Sequence, residues 1–125
     1  MILDTNAICS AADDNPAIAS VLSQAGRVYL PVVALGEYRF GIARSRYKQR
    51  YKLWLEAFVA SCTVLDVIQE TSLHYADLVA EVLRIGKPIA TNDLWIAALC
   101  RQHALPLLSR DHHFDVIPAL RRIRW

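Results

Sequence analysis

Five short apolar or β-branched runs are spread along the 125 residues, and stretches with helical spacing separate most of them. The runs are Met1 to Leu3, Val28-Tyr29-Leu30, Thr63 to Val67, Pro106-Leu107-Leu108 and Ile123-Arg124-Trp125. Runs this short, apolar at successive positions, read as strands buried on both faces of a sheet. Parallel neighbours need long crossover connections, usually helices, so the alternation predicts an α/β fold with a parallel sheet covered on both faces. Its crossovers are expected to be right-handed. A chain of this length supports one core, so residues 1–125 are expected to form a single domain. The 54% apolar content is enough to fill it and argues against disorder.

Local signals place about six helices, the first a helical turn over Asn6 to Ala12. Asp13-Asp14-Asn15-Pro16 is a turn and a helix start, and Ala17 to Ala25 follows with Gly26 as its stop. Pro31 suits the opening of a helix over Val32 to Ala43. Tyr47 to Ser61 carries Tyr51, Leu55, Phe58 and Val59 at helical spacing. Glu70 to Ile85 has Leu73, Ala76, Val79, Ala80 and Leu83 on one stripe, closed by Gly86. Asn92 to His103 is alanine-rich, which lets a helix lie close to a sheet. No internal repeat or linker divides the chain.

Four acids stand at the seams of this pattern. Asp4 and Asp111 each follow a strand, and Asp93 opens a helix. Glu37 lies three or four places from Val33, Ala34 and Phe40, on the apolar side of its helix. Ligands of open α/β sheets bind beyond the carboxyl ends of the strands, so these four segments can converge there. Each acid also has an ordinary reading: an N-cap for Asp4, a first-turn acid for Asp93, an Asx-turn for Asp111, a snorkelling edge residue for Glu37. The joint pattern is what points to chemistry. Two like charges ~5 Å apart cost about 3 kcal/mol at an effective dielectric of ~20. Such a cluster must protonate or hold cations, and oxygen-only ligation suits Mg²⁺ or Mn²⁺. That chemistry belongs to metal-dependent phosphodiester hydrolysis. On repulsion alone, Asp4→Asn is expected to stabilise the ion-free protein.

Other classes are disfavoured. Cys9, Cys62 and Cys100 are odd in number and lack zinc spacing, so they are expected to be small buried hydrophobes in a reducing compartment. No basic n-region with an apolar run follows Met1, and no stretch reaches the ~18 apolar residues of a membrane span, so a cytoplasmic protein is expected. The net charge of +2 is uninformative, but eleven of the fourteen basic residues are arginines, suited to bidentate phosphate contacts.

The segments I-L-D-T-N, L-G-E-Y-R-F-G-I, G-K-P-I-A-T-N-D-L-W-I-A-A and L-L-S-R-D-H-H-F-D together resemble the PIN-domain ribonucleases, and most closely their VapC branch, the toxins of toxin–antitoxin pairs. The resemblance runs over nearly the whole chain and is most specific at Gly86 to Ala98 and Leu107 to Phe114. It implies a three-layer α/β/α sandwich and Mg²⁺- or Mn²⁺-dependent endonucleolytic cleavage of RNA. It implies an antitoxin partner and a homodimer. Asp4, Glu37, Asp93 and Asp111 match the family's four acids. Asn6 and Ser109 match polar positions nearby. Ser109 stands where threonine is frequent, and Ala34 where a hydroxyl residue is frequent. Asn92 adds an oxygen ligand beside Asp93, and Asp115 is an outlying acid that is either a turn residue or a supporting one.

RNA contacts are expected from Arg39, Arg44, Arg46 and Lys48, which with Arg50, Lys52, Tyr47 and Tyr51 follow Glu37. Arg121, Arg122 and Arg124 form a second basic patch. Tyr38, Phe40, Trp54 and Phe58 exceed what so small a core can hold, which points to a covering partner. Two other classes compete. A receiver-type signalling domain is weakly imitated by Asp66 and Lys87-Pro88. A non-catalytic RNA- or protein-binding module would keep the basic patches and lose an acid, yet all four acids are present.

Overall fold

The computed structural model describes residues 1–125. Five parallel strands form one sheet: β1 (Ile2–Leu3), β2 (Tyr29–Pro31), β3 (Thr63–Leu65), β4 (Leu107–Leu108) and β5 (Arg122–Ile123). Their order across the sheet is β3-β2-β1-β4-β5. The chain builds outwards from β1 to β3, then returns to β4 on the other side of β1. The reversal makes the β1–β4 seam the topological switch point, where the ends of neighbouring strands open a crevice. Ile2 pairs with Tyr29 on one side and Leu107 on the other, and Leu3 pairs with Leu108. All four of Ile2, Leu3, Leu107 and Leu108 are fully buried, as central parallel strands require. A receiver-type domain has the order 2-1-3-4-5, so that reading is excluded. Asp66 is exposed and lies beyond an edge strand.

Six helices flank the sheet: α1 (Thr5–Ala12), α2 (Pro16–Ser23), α3 (Val32–Ala43), α4 (Lys48–Ala60), α5 (Gln69–Ile85) and α6 (Thr91–His103). Helices α1 to α4 pack among themselves, while α5 packs along α6. Asn15 caps α2 by accepting from the N–H groups of Ala17 and Ile18 at 3.0 and 3.4 Å, and Pro16 takes the first helical position. Pro31 both ends β2 and caps α3, where its missing N–H costs nothing. Gly86 closes α5 in the left-handed conformation, φ 71°. Helix α2 stops at Ser23, before Gly26, which plays no part in its cap.

The apolar stripe of α5 lies elsewhere than its leucines suggest. Leu73 and Leu83 are 66% and 74% exposed, and the buried positions are Thr71, Leu78 and Val82. Thr71 is buried because it is satisfied: its hydroxyl accepts from the Ile68 N–H at 3.1 Å and donates to Gln102 of α6 at 2.6 Å. Tyr75 stacks on Trp95 at 3.9 Å, and Glu81 takes a bidentate pair from Arg101 at 3.0 and 2.8 Å. These three contacts fix α6 against α5, and so fix where α6 presents Asp93. The buried run Ile96 to Cys100 seats the same helix in the core. Cys100 alone of the cysteines is buried; Cys62 is half-buried and Cys9 exposed. No helix is long and apolar enough to cross a membrane.

Candidate active site

The residue after β1 and the residues after β4 meet at the switch point. Asp4 is 4% exposed, a burial that a carboxylate tolerates only when well satisfied. Its Oδ1 accepts from the Thr5 N–H at 2.7 Å, so Asp4 is the N-cap of α1. Its Oδ2 accepts from Asn6 Nδ2 at 2.5 Å and Ser109 Oγ at 2.7 Å. Cap and acid are thus one residue. Ser109 is fully buried, and its hydroxyl also accepts from the Asp111 N–H at 2.9 Å. Asn6 holds the same loop from the other side by accepting from the Arg110 N–H at 3.2 Å. The two strand ends are laced together by side chains at positions Asn6 and Ser109.

Asp111 caps a short 3-10 turn (His112–Val116), accepting from the His113 N–H at 2.9 Å and lying 3.0 Å from His113 Nδ1. Glu37, half-buried on α3, accepts from the Thr5 hydroxyl and from Asn92 Nδ2 at 2.7 Å. Thr5 is the residue that the sequence left without a role. It lies in the same I-L-D-T-N segment as Asp4, and its hydroxyl spans from α1 to α3. Asp93, in the first turn of α6, accepts no hydrogen bond from the protein.

The electrostatics show that the four acids share one field. Burial pushes the Asp93 carboxyl up to about 6, and the charges of Asp4, Asp111 and Glu37 push in the same direction, opposed by His113. Burial also raises the Asp4 carboxyl, countered by its bonds from Ser109 and Thr5, with Glu37 and Asp111 adding to the rise. Asp93 is raised despite its place at a helix N-terminus, where the dipole favours negative charge. No three carboxylate, histidine or cysteine side chains close to ligating spacing. The donor set is nonetheless all oxygen, mutually repelling and partly buried, and such a set fits a hard divalent cation.

The remaining expected residues fall in other places. Asp115 contacts none of the four acids. Its two oxygens take a bidentate pair from Arg122 at 2.7 and 2.6 Å, with Arg124 at 3.6 Å. The Arg122 side chain is 3% exposed, and it also donates to the Ser109 carbonyl at 3.0 Å. Asp115 therefore bears on the site only through Arg122 and the Ser109 loop. Arg39 and Lys48 line a groove of about 550 Å³ between α3 and α4, with Lys52, Leu55 and Glu56. Arg39 is two residues from Glu37, hence on the opposite side of α3. Arg44 lies 5.5 Å over the Phe40 ring, and Arg46 is exposed. On the Glu37 side of α3 lies a separate cavity of about 370 Å³, lined by Thr5, Asp13, Glu37, Tyr38 and Tyr51 among others.

Residues 1–120 match the family model of the PIN domain. The chain belongs to the PIN-domain family, in its VapC branch. "Ribonuclease VapC2" of Haemophilus influenzae (strain ATCC 51907 / DSM 11121 / KW20 / Rd) is 32% identical over 99% of this chain and 96% of its own length. The "tRNA(fMet)-specific endonuclease VapC" of Shigella flexneri is 28% identical over the same shares. Among solved structures, DNA-bound VapBC from Salmonella typhimurium superposes with a TM-score of 0.89 at 25% identity, covering 99% of this chain and 96% of that one. VapBC-1 from nontypeable Haemophilus influenzae superposes with a TM-score of 0.87 at 26% identity, over the same shares. The PIN-domain assignment thus covers the elements that carry all four acids.

Proposed function

We propose that this chain is a metal-dependent endoribonuclease and the toxin of a toxin–antitoxin pair, with Asp4, Glu37, Asp93 and Asp111 as its catalytic acids. The observation that carries the reading is the lacing of the four segments: Ser109 of the Asp111 loop bonds Asp4, while Thr5 beside Asp4 and Asn92 beside Asp93 both bond Glu37. Membership of the VapC branch supplies the substrate class, since relatives in it are ribonucleases by name.

Asp4, Asp93, Asp111 and Glu37 are the residues that would hold Mg²⁺ or Mn²⁺. When bound, such an ion supplies charge neutralisation at phosphorus and a nucleophile available at neutral pH. Asp4 is the fixed member, held by three hydrogen bonds. Glu37 is aimed from α3 by Thr5 and Asn92, which leaves it placed to orient an attacking water. Asp93, lacking such bonds, is the acid most free to reorient towards a cation. Hydrolysis by water breaks the P–O3′ bond and leaves a 5′-phosphate and a 3′-hydroxyl. The ribose 2′-hydroxyl takes no part, and neither His112 nor His113 is needed as a base.

The partners follow the same branch. An antitoxin is expected, as in the VapBC structures from Salmonella typhimurium and Haemophilus influenzae. A second copy of the chain is expected to cover part of the exposed apolar surface, which includes Phe40, Leu53, Leu73 and Leu83. The test is cleavage of total RNA by the purified chain with Mg²⁺ or Mn²⁺, which must cease in EDTA. Binding of RNA without cleavage under any divalent ion would instead leave a non-catalytic module.

A further inference from the structure

We infer that the cleft between the Asp111 loop and β5 is a phosphate subsite for the RNA strand, formed by Arg110, His112 and Arg124. The inference rests on the nuclease reading of the four acids. Arg110, His112, Arg122, Arg124 and Trp125 line an open cavity of about 150 Å³. That is below the ~300 Å³ at which small-molecule pockets begin, and it suits one phosphate group better than a nucleotide. Arg110 and His112 flank Asp111 in the chain, and Arg122 of the same cavity feels the Asp111 charge, so the cleft adjoins the Asp111 edge of the acid cluster.

The charges in the cleft are lopsided. Three guanidinium groups face two carboxylates, Asp115 and, at the edge, Asp111, and Arg122 is already engaged with Asp115 and with the Ser109 carbonyl. Arg124 touches Asp115 only at 3.6 Å and is 73% exposed, so it keeps donors for a ligand. Arg110 is held ready. Its guanidinium lies 4.9 Å over the Trp125 ring, and one nitrogen donates to Ser10 of α1. Its remaining N–H groups have no protein partner. A guanidinium ordered in advance loses little side-chain entropy on binding and matches phosphate geometry. A site made of four carboxylates repels a polyanion, so neighbouring phosphates need compensating cations. Arg110, His112 and Arg124 are tied to the acid loop, whereas Arg39 and Lys48 line a groove on the far side of α3.

The test uses the full chain carrying Asp93→Asn, in EDTA, so that the probe survives. The probe is a short fluorescein-labelled single-stranded RNA, and anisotropy gives its affinity across a salt series. Arg124→Ala and Arg110→Ala are each expected to make the slope of log affinity against log salt shallower by about 0.7, the loss of one phosphate contact. Arg124→Lys should keep the slope. Arg124 is exposed, so its variants fold even where Arg110→Ala disturbs the packing of Trp125. Unchanged slopes in both alanine variants overturn the subsite, as does a slope loss confined to Arg44→Ala. If the unsubstituted chain never cleaves RNA with Mg²⁺ or Mn²⁺ while the slope changes appear, the nuclease reading fails and the subsite stands.

Discussion

Replacing Asp93 by asparagine is expected to make the ion-free protein more stable and the nuclease inactive, both at once. In the folded chain the Asp93 carboxyl is pushed from its ordinary 3.8 to about 6. That difference corresponds to about 3 kcal/mol when the group is fully ionised. Asp93 is only half-buried, and solvent screening brings the effect down to on the order of 1–2 kcal/mol. The folded state binds the proton more tightly than the unfolded one. The contribution of Asp93 to stability is therefore complete below about pH 3.8 and is lost as the pH rises through about 6. Asparagine carries no charge at any pH and escapes the loss. For a chain of this size 1 kcal/mol moves the melting temperature by roughly 3–6 °C. Thermal melts in EDTA should show Asp93→Asn melting roughly 3–12 °C above the parent at pH 7.5, with a smaller gap at pH 5. Equal melting temperatures at both pH values would refute the shared field. Full cleavage by the variant would reduce Asp93 to a first-turn acid that complements the helix dipole.

Asp4→Asn should behave in the opposite sense, despite the same relief of repulsion. Asp4 Oδ2 accepts from two donors, and an amide leaves one of its two side-chain positions facing donors with a nitrogen; a lowered melting temperature in EDTA checks this. Mg²⁺ or Mn²⁺ should raise the parent's melting temperature in a concentration-dependent way, because it binds the folded state only; a flat response in a thermal titration contradicts it. Thr5→Val removes the hydroxyl that holds Glu37 and should lower kcat about tenfold, as expected for losing a hydrogen bond to a charged group, with little change in melting temperature. Arg122→Ala frees the Ser109 carbonyl and should cost on the order of 2 kcal/mol of stability by denaturant titration. Co-expression with an antitoxin of the VapB type should give a stable complex with suppressed cleavage, and light scattering should show the chain alone as a dimer.

The architecture was legible because β1 and β4 are short enough to be buried throughout, and because Asn15-Pro16, Pro31 and Gly86 punctuate the helices in ways their chemistry dictates. The stripe on α5 was misread. Leu73 and Leu83 look like core residues by type, yet the buried side follows Thr71, Tyr75, Leu78 and Val82. A threonine takes a core position only because Gln102, thirty-one residues on, satisfies its hydroxyl, and such a pairing has no local signature. Asp4, Asp111 and Asp93 stood out from their placement after strands or at a helix start, and Glu37 from its place on the apolar side of its helix. Their anchoring did not. Thr5 reaches Glu37 and Asn92 reaches the same carboxylate only because α1, α3 and α6 converge at the switch point. Asp115 shows the converse: adjacency to Asp111 in sequence suggested a supporting acid, while its partner Arg122 lies on β5. The basic run after Glu37 is divided by helical geometry, since Arg39 and Glu37 point to opposite sides of α3.

The central claim is that four carboxylates from four segments form one cation-dependent hydrolytic site. The most direct measurement is cleavage of a defined RNA by the parent chain and by Asp93→Asn, each with Mg²⁺, with Mn²⁺ and with EDTA, followed by analysis of the product ends. The account predicts cleavage only by the parent and only with a divalent ion, leaving 5′-phosphate and 3′-hydroxyl termini. Undiminished cleavage in EDTA, or 2′,3′-cyclic phosphate ends, would contradict it.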